Sequence, residues 1–149
     1  MVEQELTAPG VPRSMLMELH HATEREADPT DWASFLTHRF APGVYARQFD
    51  LPEGSMVVGK IHKHAHLNFL MGGVVKVVSE FHTEIFAAPR VWVSEPGIKR
   101  AVYTLEDAMW ITVHPNPEDC TDLETIEDEV IAPSYEQLDH FLAGRLEKQ

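Results

Sequence analysis

From Val44 to His114 the chain runs for roughly seventy residues without a helix-length periodic stretch, cut into short pieces by turn residues. The cuts fall at Ala41-Pro42-Gly43, at Leu51 to Gly54, at Gly72-Gly73 and at Pro96-Gly97. Between them, alternating apolar and polar residues predict strands over 44–49, 55–61, 67–71, 74–80, 82–87, 90–94, 99–104 and 108–114. Gly72-Gly73 is a hairpin signal, because glycine supplies the positive φ that tight turns need. Many short strands with no crossover helix predict an all-β protein, an antiparallel sandwich or barrel. At 149 residues the chain holds one domain with a core. The division expected is an N-terminal arm and helix over 1–43, a barrel over 44–117, and an acidic linker with a C-terminal helix over 118–149. Ser14 to Ala27 reads as a helix capped by Ser14, with Pro29 beyond it. Asp31 to Leu36 reads as a short helix or an extended cover. Ser134 to Leu146 reads as a terminal helix with Leu138, Phe141 and Leu142 as its buried stripe.

Inside the strand-rich part, His62, His64 and His66 fall at every second position. On one extended strand that spacing puts three imidazoles on one face, and imidazole is the commonest metal-binding side chain near neutral pH. The competing reading is an exposed histidine stripe on an edge strand, interleaved with Lys60 and Lys63 for solubility. If metal binds, three neutral nitrogens with open positions suit zinc, nickel, iron or manganese. Asn68 is then an amide ligand, or a partner that orients a histidine. His114, closing the last strand, can reach the same mouth, as can His82 if it faces inward. His20 and His21 point about 100° apart on the predicted helix and read as surface histidines.

Charge narrows the ligand. The chain carries a net −12, which argues against nucleic acid as a partner. Between Met56 and Val102, however, six basic residues stand against three acidic ones, so that segment is +3 and the remainder −15. A cationic barrel in an acidic envelope suits a small anionic molecule; solvated lysines on strand faces are the alternative. No apolar run of about eighteen residues exists to span a bilayer, and the acidic N-terminus lacks the features of a signal peptide. A cytoplasmic protein is therefore expected. The single cysteine, Cys120, sits among acidic residues and excludes a disulfide framework. Ser55, Ser79 and Ser94 lack nucleophile-elbow glycines, and the acidic run from Asp119 to Glu129 lacks the spacing of a calcium loop. The aromatics Phe69, Phe81, Phe86, Trp92, Tyr103 and Trp110 read as core or pocket wall.

Taken in order, the glycine turn, His62-x-His64, the closing Gly73, and Pro96-Gly97 followed by basic residues resemble the cupin superfamily over about Val44 to Pro117. The chain is also similar to small cupin-like proteins of tailed-phage genomes, which places it in a host cytoplasm if it is phage-encoded. The resemblance implies a double-stranded β-helix, or jelly-roll barrel, with short helical segments at both ends. It also implies a divalent metal at the mouth, held by His62, His64, His66 and His114, and a homodimer that pairs edge strands or exchanges the N-terminal segment. The chain departs from the family pattern in two places. His66 stands where the family's glutamate is expected, and Arg100 where its second-motif histidine belongs. A guanidinium does not ligate metal but pairs bidentately with carboxylate or phosphate. Arg100, Lys99, Asn68 and Tyr103 are accordingly expected around the ligand. Three functions remain open at this level: a metal-dependent enzyme acting on a small anionic metabolite, a metal-free small-molecule-binding module, and a structural or host-interaction protein without catalysis.

Overall fold

The computed structural model describes residues 7–24 and 32–147. Its elements in chain order are β1 (Thr7–Pro9), α1 (Arg13–Glu24), a 3-10 turn (Trp32–Phe35), β2 (Leu36–Ala41), β3 (Gly43–Leu51), β4 (Met56–Val58) and β5 (Ile61–His62). There follow β6 (His66–Gly72), β7 (Val74–Val78), β8 (His82–Ala87), β9 (Arg90–Ser94), β10 (Ala101–Thr104) and β11 (Ala108–Asn116). The chain closes with α2 (Leu123–Val130), β12 (Ile131–Ala132) and α3 (Tyr135–Glu147).

Two five-stranded antiparallel sheets form, ordered β2-β3-β11-β6-β9 and β1-β8-β7-β10-β4. Strands adjacent in sequence repeatedly land in opposite sheets, so the chain winds back and forth between two layers. Without the two flanking strands β1 and β2, the eight that remain make the double Greek key of a jelly roll. Alternation explains the layering. Along β11, Ala108, Trp110, Thr112, His114 and Asn116 are buried, while the residues between them face outward. The dry core joins Leu51, Leu70, Val75, Val77, Phe86, Val102, Ala108 and Trp110 from both sheets. Gly73, at φ +87°, makes the β6–β7 hairpin; a Cβ there would meet the Asp107 carbonyl oxygen at 2.3 Å.

Several expectations are corrected. Within the leading arm, Thr7–Pro9 is a strand that pairs antiparallel with β8 of its own chain. α1 begins at Arg13, one residue before the expected cap, because the Pro12 carbonyl already accepts the Met15 and Leu16 N–H groups. The expected end of this helix, Pro29 and the turn at Asp28 to Asp31 lie outside the described residues. Leu36 to Ala41, read only at its ends as the close of a short helix or cover and as a turn, is a sheet strand paired along β3. The predicted strand over 55–61 breaks into β4 and β5. The acidic stretch is not a linker, since it forms α2, after which Ile131–Ala132 pairs with Ile61–His62. Ser134 caps α3, its Oγ accepting the Gln137 N–H at 3.2 Å. Among the described residues no helix is long and apolar enough to cross a membrane.

Candidate functional site

The two inner faces change character part-way along the barrel. Register pairs Leu51 with Ala108, Phe49 with Trp110, Arg47 with Thr112 and Tyr45 with His114. On the other side of β11, Trp110 lies opposite Leu70 and Thr112 opposite Asn68. Each of these strands therefore passes from apolar to polar at one level. Beyond that level three imidazoles gather: ring centroids are 4.4 Å apart for His62–His66, 4.8 Å for His66–His114 and 5.6 Å for His62–His114. Tyr45 stacks on His114 at 5.9 Å, and its hydroxyl meets His38 Nδ1 at 2.6 Å.

His62 is held from two sides. Its carbonyl accepts the Gly97 N–H at 2.7 Å, and Ile131 of β12 pairs with it across the ladder. Gly97, at φ +92°, is backed by Leu138 of α3, whose side chain would touch an added Cβ at 3.0 Å. The C-terminal helix thus braces the turn that fixes the site. His64 does not join the cluster. The chain leaves extended geometry between β5 and β6, so period-two alternation does not carry across, and the His64 ring packs edge-on against Phe141 at 5.4 Å. His62 and His66, four residues apart, come together instead.

The remaining expected residues divide. Arg100 enters the barrel and donates to Ser94 Oγ at 2.7 Å. Asn68 lies fully inside, accepting the Trp110 indole N–H at 3.0 Å and donating to Ser94 Oγ at 2.7 Å. Trp110, Asn68, Ser94 and Arg100 thereby form one chain of hydrogen bonds that sets the guanidinium. Lys99 and Tyr103 are elsewhere. Consecutive residues of an extended segment point to opposite sides, and Lys99 is buried against α1, donating to the Gly59 carbonyl at 2.8 Å and meeting His20 Nδ1 at 2.7 Å. His20 is thus a packed partner of Lys99, and only His21 is exposed as expected. Tyr103 faces outward on β10 beside Met56 and Lys76. His82 is half-exposed and lies 3.3 Å from Glu84 on an outer face.

Sequence reasoning missed Arg47 and Tyr45. Both sit on the inward parity of β3 with Phe49 and Leu51, so a polar residue at an inward position was the available signal. A cavity of about 100 Å3 opens between Arg47, Arg100, His62, His66, Asn68 and the apolar wall of Phe49, Leu51, Val57, Val102 and Trp110. Among the described residues no carboxylate lines it. Among the described residues neither guanidinium makes an ion pair, and Arg47 makes no hydrogen bond. Burial lowers the pKa of both arginines, that of Arg100 to about 10, which leaves it charged at neutral pH.

Burial first, and then the neighbouring charges, push the histidines the other way from protonation. His66 falls to about 4 and His114 to about 3. His62 is lowered strongly by burial and then by His66, His114, Arg47 and Arg100. All three are therefore neutral at pH 7, the form that ligates metal, and His66 Nδ1 is buried without a hydrogen-bond partner. The three rings stand 11–38° from parallel, with their centroids 4.4–5.6 Å apart. Two arginines occupy the surroundings where a carboxylate ligand would help. Among the described residues no group of three or more His, Cys, Asp or Glu side chains is disposed to hold a metal.

The strand order and the polar-ended barrel define a jelly roll. No family model and no curated protein matches the chain. Solved structures do resemble it. One is an acetylacetone dioxygenase from Acinetobacter johnsonii, at 15% identity and TM-score 0.45, covering 54% of this chain and 58% of that one. Another is a cupin superfamily protein from Desulfitobacterium hafniense, at 11% and 0.46, covering 60% and 92%. A third is an oxalate decarboxylase from Lactobacillus farciminis, at 17% and 0.47, covering 67% and 34%. The match thus spans well under two thirds of the dioxygenase and about a third of the decarboxylase. Likeness at these identities concerns the fold alone.

Proposed function

We propose that this chain is a small-molecule-binding jelly roll that captures a compact carboxylate in the barrel mouth. One observation carries the reading: two guanidinium groups face a shared cavity that is lined by no carboxylate among the described residues. Holding cations in a confined, partly apolar space without counter-charge is unfavourable, and a bound anion relieves it. Arg100, fixed by Ser94, and Arg47 take the charged head. Phe49, Leu51, Val57, Val102 and Trp110 take a short carbon body. A cavity of about 100 Å3 admits a ligand of only a few heavy atoms, or the head of a longer one. The neutral imidazoles of His62 and His66 border the same space and offer hydrogen bonds to a ligand oxygen.

Isothermal titration with short aliphatic carboxylates, their neutral amides and phosphate tests this directly. Carboxylates should bind and the amides should not. Arg100→Met should weaken binding roughly 10- to 100-fold, the worth of a charge-assisted hydrogen bond. Equal binding of acid and amide would refute the reading. A metal content near one per chain, abolished in a His62→Ala/His66→Ala variant, would replace it with metal coordination.

A further inference from the structure

Guanidinium and imidazole groups line the same end of the barrel cavity, and the wall beyond them is apolar. Register ties the two kinds of group together. Ser94 lies directly opposite His66 in the β6–β9 ladder, and its Oγ accepts from Arg100 at 2.7 Å. Residues directly opposite across antiparallel strands have Cβ atoms about 4.5–5.5 Å apart, so the guanidinium is held beside the imidazoles. The His62 ring stands 4.4 Å from that of His66, centroid to centroid. His62 is fixed through its backbone, by Gly97 and by the ladder to Ile131. Its ring lies against those of His66 and His114, and among the described residues no protein group hydrogen-bonds it.

Resting on the carboxylate reading above, we infer that the ligand is a short 2-hydroxycarboxylate. Its carboxylate meets Arg47 and Arg100, and its 2-hydroxyl meets the His62 imidazole. An imidazole carries an N–H on one ring nitrogen and a lone pair on the other. A hydroxyl also both donates and accepts, so it satisfies whichever nitrogen faces the cavity. With the carboxylate taken by the guanidinium groups, the imidazole is left to whatever stands on the next carbon. The lining fixes that position. A hydroxyl further along the carbon chain would enter the apolar wall and lose its hydrogen bonds. Charge excludes the amino analogue. A 2-ammonium group would sit near two guanidinium groups, with no carboxylate among the described lining residues to offset them.

Isothermal titration of the chelator-treated full chain with lactate, propionate, 3-hydroxypropionate and alanine tests it. Lactate should bind roughly 10- to 100-fold more tightly than propionate, because the analogue leaves a buried polar group unpaired. 3-Hydroxypropionate should do no better than propionate, and alanine should bind more weakly. His62→Phe should abolish the difference between lactate and propionate. If that variant fails to fold, the imidazole nitrogen resonances of the wild type carry the same expectation: those of His62 should move with lactate and stay in place with propionate. Equal affinity for lactate and propionate overturns the inference and leaves the carboxylate reading standing. Binding of none of the acids overturns both. 3-Hydroxypropionate or alanine binding as tightly as lactate overturns the assigned position or charge. A preference for lactate that appears only when a divalent metal is restored gives the hydroxyl to the metal and overturns the role of His62.

Discussion

The barrel has a dry end and a wet end, and the same three strands build both. β3, β6 and β11 contribute Leu51, Leu70 and Trp110 to the one, and Arg47, His66 and His114 to the other. At the dry end every inward side chain has apolar neighbours from the facing sheet. At the wet end the inward groups are polar, and several lack partners among the described residues, His66 Nδ1 and the Arg47 guanidinium among them. Stability and recognition are thus separated along one strand by a single change of inward residue type. The dry end supports the wet one, and Trp110 joins them by donating to Asn68.

The hardest test of that division is Leu70→Ala. Leu70 is completely buried, and the cavity left behind should cost roughly 3–5 kcal/mol, a large part of the 5–15 kcal/mol typical of a domain. Denaturant titration reads it directly. A cost below about 1 kcal/mol would mean that the dry end is not the part that holds the fold. Acid attacks the other end. The folded-state pKa values of His62, His66 and His114 lie below the unfolded value of 6.5. Between pH 6.5 and about 4 the unfolded chain therefore binds more protons than the folded one. Stability is full above pH 6.5 and falls as the pH drops towards 4 and 3. One such group is worth about 3 kcal/mol over that window. His66→Leu in chelator-treated protein should flatten this slope, and an unaltered slope would mean that the ring is protonated in the fold.

How much of this was legible in the sequence follows from what each signal depends on. The barrel was readable because alternation and turn glycines act within a few residues: Gly73, Gly97 and the strands at 82–87 and 90–94 stand as read. β2 escaped because His38 and Arg39 break its apolar pattern, and its exposed place at the sheet edge leaves little burial to read. His64 was assigned to a strand face because the period-two rule assumes an unbroken strand, and three turn residues intervene. Lys99 and Tyr103 were placed beside Arg100 by proximity along the chain, whereas the pleat sends neighbours to opposite faces. Arg47 was missed for a different reason. Parity with Phe49 and Leu51 marks its position as inward, but only the partner strand, with Thr112 opposite it, shows that the arginine faces a polar end of the barrel. Cross-sheet facts of this kind are long-range, and a single sequence does not print them.

A smaller effect of opposite sign sharpens the contrast. Arg47→Met removes a cation that meets no carboxylate among the described residues and substitutes a side chain of similar reach. Replacing a buried charge with an apolar group of similar volume often stabilises, so an increase of about 1–2 kcal/mol is expected, with carboxylate binding weakened at least tenfold. The dry end should show no substitution with that signature. If Arg47→Met destabilises instead, the guanidinium contributes to the fold, and the separation of the two ends fails at this level.

The smallest effect belongs to the rim. Lys60 borders both the barrel cavity and the larger outer groove between α1 and the C-terminal segment, and it pairs with Glu127 of α2. Both side chains are about half exposed, so the pair should contribute no more than about 0.5 kcal/mol to stability. Its influence is on the approach of a ligand. Glu127→Gln deletes a negative charge at the entrance and leaves the lysine in place, so carboxylate association should quicken severalfold at low ionic strength. The difference should vanish at 0.5 M salt, where the screening length falls to about 4 Å. Lys60→Met should do the reverse under the same conditions. Stopped-flow rates that do not respond to either change would place the ligand's entrance on another side of the barrel, away from the ledge formed by β5 and β12.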